Sequence, residues 1–129
     1  MSGPFIFIAT NRLKPGRLAG ERKRVPGLVD FVEENEPRVI AFNEYVSDEG
    51  TEVAVVQIHA DVDSMAFHTE VIAERAAAYA ETVAATTSIQ AFGTPTNAVL
   101  EMLERQAGAG IPLTVKSLHL GGFTRHGAP

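Results

Sequence analysis

The chain has 129 residues, with 16 acidic against 11 basic side chains and a formal net charge of −5. That length suits one domain, and 45% hydrophobic with 21% charged residues is the composition of a folded globular protein. The acidic balance argues against a protein held by nucleic-acid phosphates or anionic lipid, and the absence of cysteine excludes disulfides, a thiol nucleophile and cysteine–metal ligation.

Phe5-Ile6-Phe7-Ile8-Ala9-Thr10-Asn11 is dense in β-branched and aromatic residues and reads as a strand with both faces covered. Lys14-Pro15-Gly16 is turn chemistry. A helical pattern follows through Leu18, Val25, Leu28, Val29 and Val32. Pro26-Gly27 falls inside it and predicts a kink or two short helices. Glu36-Pro37 ends that helix, and two strands, Arg38 to Val46 and Thr51 to His59, flank the break at Asp48-Glu49-Gly50. On the second, Val53, Val55, Gln57 and His59 share one face.

Asp61 to Ser64 offers N-cap oxygens to a long alanine-rich helix expected over Met65 to Ala84, and a fourth strand is expected over Ser88 to Phe92. Thr96 caps a helix over Asn97 to Gln106, which Gly108 and Gly110 stop, and Leu113 to Leu120 reads as a fifth strand. The order is βαβ twice, the ferredoxin-like α+β layout, with helices on one face of an antiparallel sheet. The chain is one domain, with a core over 4–92, a helix-strand extension over 93–123 and a flexible tail over 124–129. No apolar run reaches the roughly 20 residues of a membrane span. No basic-then-apolar leader opens the chain, so a cytoplasmic location without membrane or nucleic-acid partners is expected.

The opening strand ending in Leu13-Lys14-Pro15-Gly16, the hairpin from Arg38 to His59, and Asp61-Val62-Asp63-Ser64-Met65-Ala66-Phe67-His68 together resemble the antibiotic-biosynthesis-monooxygenase-like group of dimeric α+β barrel proteins. The resemblance spans residues 5 to 92. It implies a homodimer whose second sheet covers the open sheet face. It also implies cofactor-independent monooxygenation of an electron-rich aromatic, a quinol or polyketide-like small molecule. Two features depart from it. His59 stands where the family often has tryptophan, and the extension exceeds the minimal domain. In some similar proteins a C-terminal strand crosses to the partner, which would exchange Leu113 to Leu120 between subunits.

The expected catalytic residues are Asn11 and His68. Asn11 shares a strand face with Phe5, Phe7 and Ala9 at the mouth of an apolar pocket, or else caps the strand end. The resemblance makes His68 a pocket histidine, able to take a proton from a phenol or quinol near neutral pH; the bland alternative is a surface histidine near a helix start. His59, Tyr45 and Phe7 are expected to contact substrate, His59 having a satisfied strand-end histidine as its alternative. Tyr45 and Glu44 point to opposite faces, so at most one enters a given pocket.

Asn11-Arg12-Leu13 also resembles the start of heme-degrading relatives, but Ala76-Ala77-Ala78-Tyr79 stands where their iron-ligating histidine lies. No heme, other cofactor or metal is therefore expected. Arg22-Lys23-Arg24 reads as a solvated helix face, His119 lies remote from the site unless its strand crosses over, and His126 has no assigned role. The alternatives to an oxygenase are a non-catalytic dimeric ligand-binding or stress-associated module, and an O2-independent isomerase or lyase on the same scaffold.

Overall fold

The structure, a computed structural model, describes residues 3–125. Residues 126–129, with His126 and most of the expected flexible tail, lie outside the described residues. Five strands, β1 (Phe5–Leu13), β2 (Val39–Val46), β3 (Glu52–His59), β4 (Val83–Phe92) and β5 (Leu113–Lys116), form one sheet in the order β2-β3-β1-β4-β5. The first four pair antiparallel, the ferredoxin-like arrangement, and β5 adds a parallel edge, so the sheet is mixed. Within one chain β5 pairs with its own β4.

The helices α1 (Leu18–Asn35), α2 (Val62–Val71), α3 (Ala76–Thr82) and α4 (Asn97–Ala107) follow in chain order. Period-two alternation on β1 sends Phe5, Phe7, Ala9, Asn11 and Leu13 inward. There Phe5, Phe7, Ala9, Ile89 and Ala91 of the sheet pack on Met65 of α2 and on Val99, Leu103 and Ala107 of α4. Leu13, Val53 and Val83 form a smaller apolar cluster at the far end of the same face. Burying each of the Val, Leu, Ile, Phe and Met side chains among them contributes about 1.5–3 kcal/mol, so these clusters clamp the helices to the sheet. The opposite face carries Ile6, Ile8, Val56 and Ile58 only half-buried, so one chain does not supply the cover expected for both faces of β1.

Several boundaries differ from the expectation. α1 is one helix that carries Pro26 without ending there, not two. The expected helix over 65–84 is α2, a 3-10 turn at Ile72–Arg75 and α3, after which Val83 already begins β4. Alanine's helical preference at Ala84 and Ala85 yields to pairing with the end of β1, where Leu13 faces Val83 and Arg12 faces Ala85. β4 bulges against β1 between Thr10 and Asn11, turning Thr86 to face Asn11. β5 stops at Lys116, and the segment beyond it exposes Leu118, Leu120 and Phe123 instead of continuing as a strand. Gly93 ends β4 with φ +114, and a Cβ there would lie 3.1 Å from both the Phe5 ring and the Pro4 carbonyl oxygen, so glycine is required at this close approach.

Candidate functional site

Between the two apolar clusters lies a cavity of about 120 Å3, bounded by β1, β2 and β3 below and by the helices above. Strand register sets its floor. Phe42 lies beside Gln57 and Gln57 beside Phe7, while one step along Glu44 lies beside Val55 and Val55 beside Ala9. Each row places one polar side chain among apolar neighbours, the composition of a small-molecule site.

At one end stands a buried dyad. His68 on α2 is 1% exposed, and its Nδ1–H donates to Glu36 at 2.8 Å (Oε1) and 2.9 Å (Oε2). Glu36 caps the C-terminus of α1 and is itself buried. A carboxylate accepting from Nδ1–H fixes the tautomer whose Nε2 carries the free lone pair. That Nε2 is buried without a hydrogen-bond partner, and His68 lines the cavity. The Phe42 ring, 5.6 Å away between centroids, walls it on the β2 side. The surface-histidine reading is therefore overturned: the α2 face that carries Ser64, Met65 and His68 is turned into the core.

His59 sits beside His68, with 5.7 Å between ring centroids. Its Nε2–H donates to Gln57 Oε1 at 2.8 Å, and the Ser64 hydroxyl donates to its Nδ1 at 2.8 Å. Both nitrogens are thereby engaged, the ring is fully buried, and it is not among the cavity-lining residues. This corrects the expected substrate contact: His59 supports the α2 turn that carries His68. Burial, together with the neighbouring His68, pushes its pKa down to about 3, so it stays neutral.

At the other end Glu21 of α1 accepts from Arg24 Nε (3.0 Å) and Nη2 (2.8 Å) and from the Thr82 hydroxyl (2.7 Å). Glu44 of β2 hydrogen-bonds the same carboxylate. Two carboxyl groups in contact share one proton, because two adjacent carboxylates repel. Burial and then Glu21 push Glu44 up to about 8. Burial alone would raise Glu21, but its bonds from Glu44, Arg24 and Thr82 outweigh that and hold it down at about 2. Asn11 lines the cavity nearby and accepts from the Thr86 hydroxyl at 2.8 Å.

The remaining expected residues separate. Phe7 lines the cavity. Tyr45 does not: it is 63% exposed on the opposite sheet face, because the pleat that turns Glu44 inward turns Tyr45 away. Arg24 corrects the reading of a solvated basic cluster, since its guanidinium is largely buried over the Tyr79 ring and lines the cavity. His119 is exposed beyond β5 and lines no part of the cavity. The sequence pattern did not mark Glu36 or Glu21 as site residues, and it allowed Glu44 only as the alternative to Tyr45. The one available signal was Glu36 itself, an acidic residue at a helix C-terminus where the dipole favours a cation.

These titrations predict a pH profile. Between 6.5 and about 3 the unfolded chain takes a proton on residue 59 that the folded chain refuses, so stability falls with acid. Between 4.5 and about 8 the folded chain holds a Glu44 proton that the unfolded chain has released, so stability falls with base. The two slopes oppose each other from 4.5 to 6.5, and below 4.5 the depressed Glu21 adds to the acid loss. A plateau over that interval is expected, with losses on either side of order 1 kcal/mol per pH unit, less for the partly solvent-screened Glu44. Urea midpoints measured across pH check it; stability rising between pH 7 and 8 would contradict the Glu44 contribution.

No family model matches the chain, and no curated protein sequence matches it. Solved structures do. MupZ from Pseudomonas fluorescens is 14% identical with a TM-score of 0.72 and covers 95% of each chain. Coverage that high must include most of the extension over 93–123. A candidate antibiotic biosynthesis monooxygenase from Caulobacter crescentus is 23% identical with a TM-score of 0.63, covering 70% of this chain and 88% of its own. Another so named, from Bacteroides thetaiotaomicron, is 15% identical with a TM-score of 0.58, over 65% of this chain and 83% of its own. The chain thus has the ferredoxin-like α+β fold of proteins named for antibiotic biosynthesis monooxygenases. Among the described residues no group of three or more histidine and acidic side chains is placed to hold a metal ion, and no helix is long and apolar enough to cross a membrane.

Proposed function

We propose that this protein is a cofactor-independent monooxygenase in which His68, aligned by Glu36, ionises a single-ring quinol that then reacts with O2. The observation that carries the reading is the buried dyad, whose Nε2 is buried and unpartnered on a residue lining a mostly apolar, half-open cavity. A base so placed removes a phenolic proton without competition from water. The electron-rich anion then gives two electrons to O2 as a ring hydroperoxide, and loss of water from it takes two more; one oxygen atom stays on the ring and the other leaves as water, so a hydroquinone becomes a hydroxyquinone. Asn11 and Phe7 would orient the ring. A cavity of about 120 Å3 is somewhat smaller than the roughly 150 Å3 that takes benzene, so it limits the substrate to one ring whose outer part lies in the cavity mouth. Tricyclic polyketides would need the wall to open.

The carboxyl pair opposite the dyad favours one second reading on the same base, an O2-independent isomerase or lyase that moves a proton between two ends of its substrate. Oxygen uptake by chelator-treated protein with single-ring hydroquinones separates them. Protein-dependent uptake supports the oxygenase. Substrate isomerisation without uptake would replace it with the second reading, and binding without turnover would leave a ligand-binding module.

The protein is also proposed to be a homodimer. The half-buried Ile6, Ile8, Val56 and Ile58 on the helix-free sheet face, with exposed Leu118, Leu120 and Phe123, are the apolar surface a second copy would cover. Light scattering is expected to report twice the 13.8 kDa chain mass; a stable monomer would remove this proposal.

A further inference from the structure

Glu44 is the one side chain shared by the inner cavity and an outer groove of about 320 Å3 lined by Leu18, Val25, Val46 and Val53. Its neighbour Glu21 is held as the charged member by Arg24 through two bonds and by Thr82, and its remaining acceptor site takes the Glu44 O–H. The proton between the two carboxyls therefore resides on Glu44, the member that lines the cavity. Glu44 lies two residues along β2 from Phe42, whose ring packs on His68, on the same strand face and about 7 Å further on. His68 and Glu44 thus line one cavity from different rows of its wall.

Resting on the general-base reading of His68, we propose that Glu44 is the acid of the same site, donating to an oxygen at the far end of a single-ring substrate whose opposite hydroxyl meets His68. In a ring whose hydroxyl is conjugated to an exocyclic carbonyl at the para position, the hydroxyl O–H bond breaks and its proton goes to His68 Nε2. The electron pair shifts through the ring to the far oxygen, which takes the Glu44 proton once that O–H has turned from Glu21 to the substrate. Glu44, left as a carboxylate, regains a proton from solvent through the outer groove. No net oxidation occurs in this step. In a quinol the same carboxyl only hydrogen-bonds the far oxygen. The substrate class is accordingly a single ring with oxygens at opposite ends.

The probe is 4-nitrophenol, whose colour reports ionisation and whose nitro group presents oxygen to Glu44; 4-ethylphenol lacks that acceptor. Glu44→Leu is expected to weaken 4-nitrophenol about tenfold and leave 4-ethylphenol unchanged. Glu44→Gln keeps an N–H donor, so it should bind 4-nitrophenol as the parent does at neutral pH and overtake it as pH rises through about 8, where Glu44 ionises. Comparing these two proteins at each pH cancels the titration of the probe. It also cancels that of the groups facing Glu44: Glu21, Arg22 and Arg24 of α1, His68 of α2, Tyr79 of α3 and Tyr45 of β2. Equal discrimination between the two phenols in parent and Glu44→Leu would overturn the proposal. If Glu44→Leu does not fold, a pH-independent affinity ratio between parent and Glu44→Gln would do so. A probe that stays un-ionised on the parent would overturn the general-base reading itself, whereas ionisation with no effect of Glu44 overturns only the acid.

Discussion

His68→Ala is expected to reduce hydroquinone-dependent oxygen uptake by about 10²–10⁴-fold, the range for removal of a positioned general base. The substitution deletes Nε2, the one buried side-chain atom lacking a partner among the described residues, and strands the Glu36 carboxylate. Leaving that acceptor buried and unmatched costs about 1–3 kcal/mol, so the variant must be assayed where urea titration shows it folded. Glu36→Gln separates the two members of the dyad. Its amide oxygen still accepts from Nδ1–H, so the tautomer persists, but the negative charge facing the protonated ring is gone. A loss of order 100-fold in turnover with substrate binding intact is expected from that change. Undiminished uptake in His68→Ala would remove the dyad from the mechanism altogether.

Glu21→Leu is expected to cost about 3 kcal/mol of stability, measurable as a fall in the urea midpoint. Its carboxylate is buried and holds Arg24 through two bonds, so its removal leaves a largely buried guanidinium and the Thr82 hydroxyl without their acceptor. Breaking one side of a buried ion pair costs about 3–5 kcal/mol, and the lower end applies because Glu44 can ionise and partly replace the lost carboxylate. The consequence extends to function, since an ionised Glu44 no longer carries the proton it would donate. Replacing Arg24 with Met and Glu44 with Leu in the same chain should recover most of the lost stability, because an apolar cluster avoids burying charge at all. A loss below about 1 kcal/mol would mean that solvent screens the pair as it screens a surface salt bridge.

The layout was legible in the sequence because it follows from local periodicity. Alternation on Phe5 to Leu13 and on Val53 to His59, turn chemistry at Lys14-Pro15-Gly16, and the Thr96 cap each depend on neighbours along the chain, and the structure keeps all of them. The inward face of β3 followed from the same period of two. Where the sequence misled, a distant partner overruled a local preference. Val83 and Ala84 became strand because β1 offered this segment hydrogen bonds, and Arg24 left its solvated cluster because Glu21 and Tyr79 gave it a place inside.

The site shows the same division. Sequence alone placed Phe7 and Asn11 on one face of the first strand and allowed no more than one of Glu44 and Tyr45 into a given pocket, while leaving His68 between a pocket and a surface position. Which one enters, and what each polar group meets, was decided only by the tertiary structure. Glu36 reaches His68 across 32 positions, Thr82 reaches Glu21 across 61, and Thr86 reaches Asn11 across 75. No local pattern encodes such pairings. They arise because burial denies each polar group its water and leaves it only those partners that the packing of helices on sheet brings within hydrogen-bond reach.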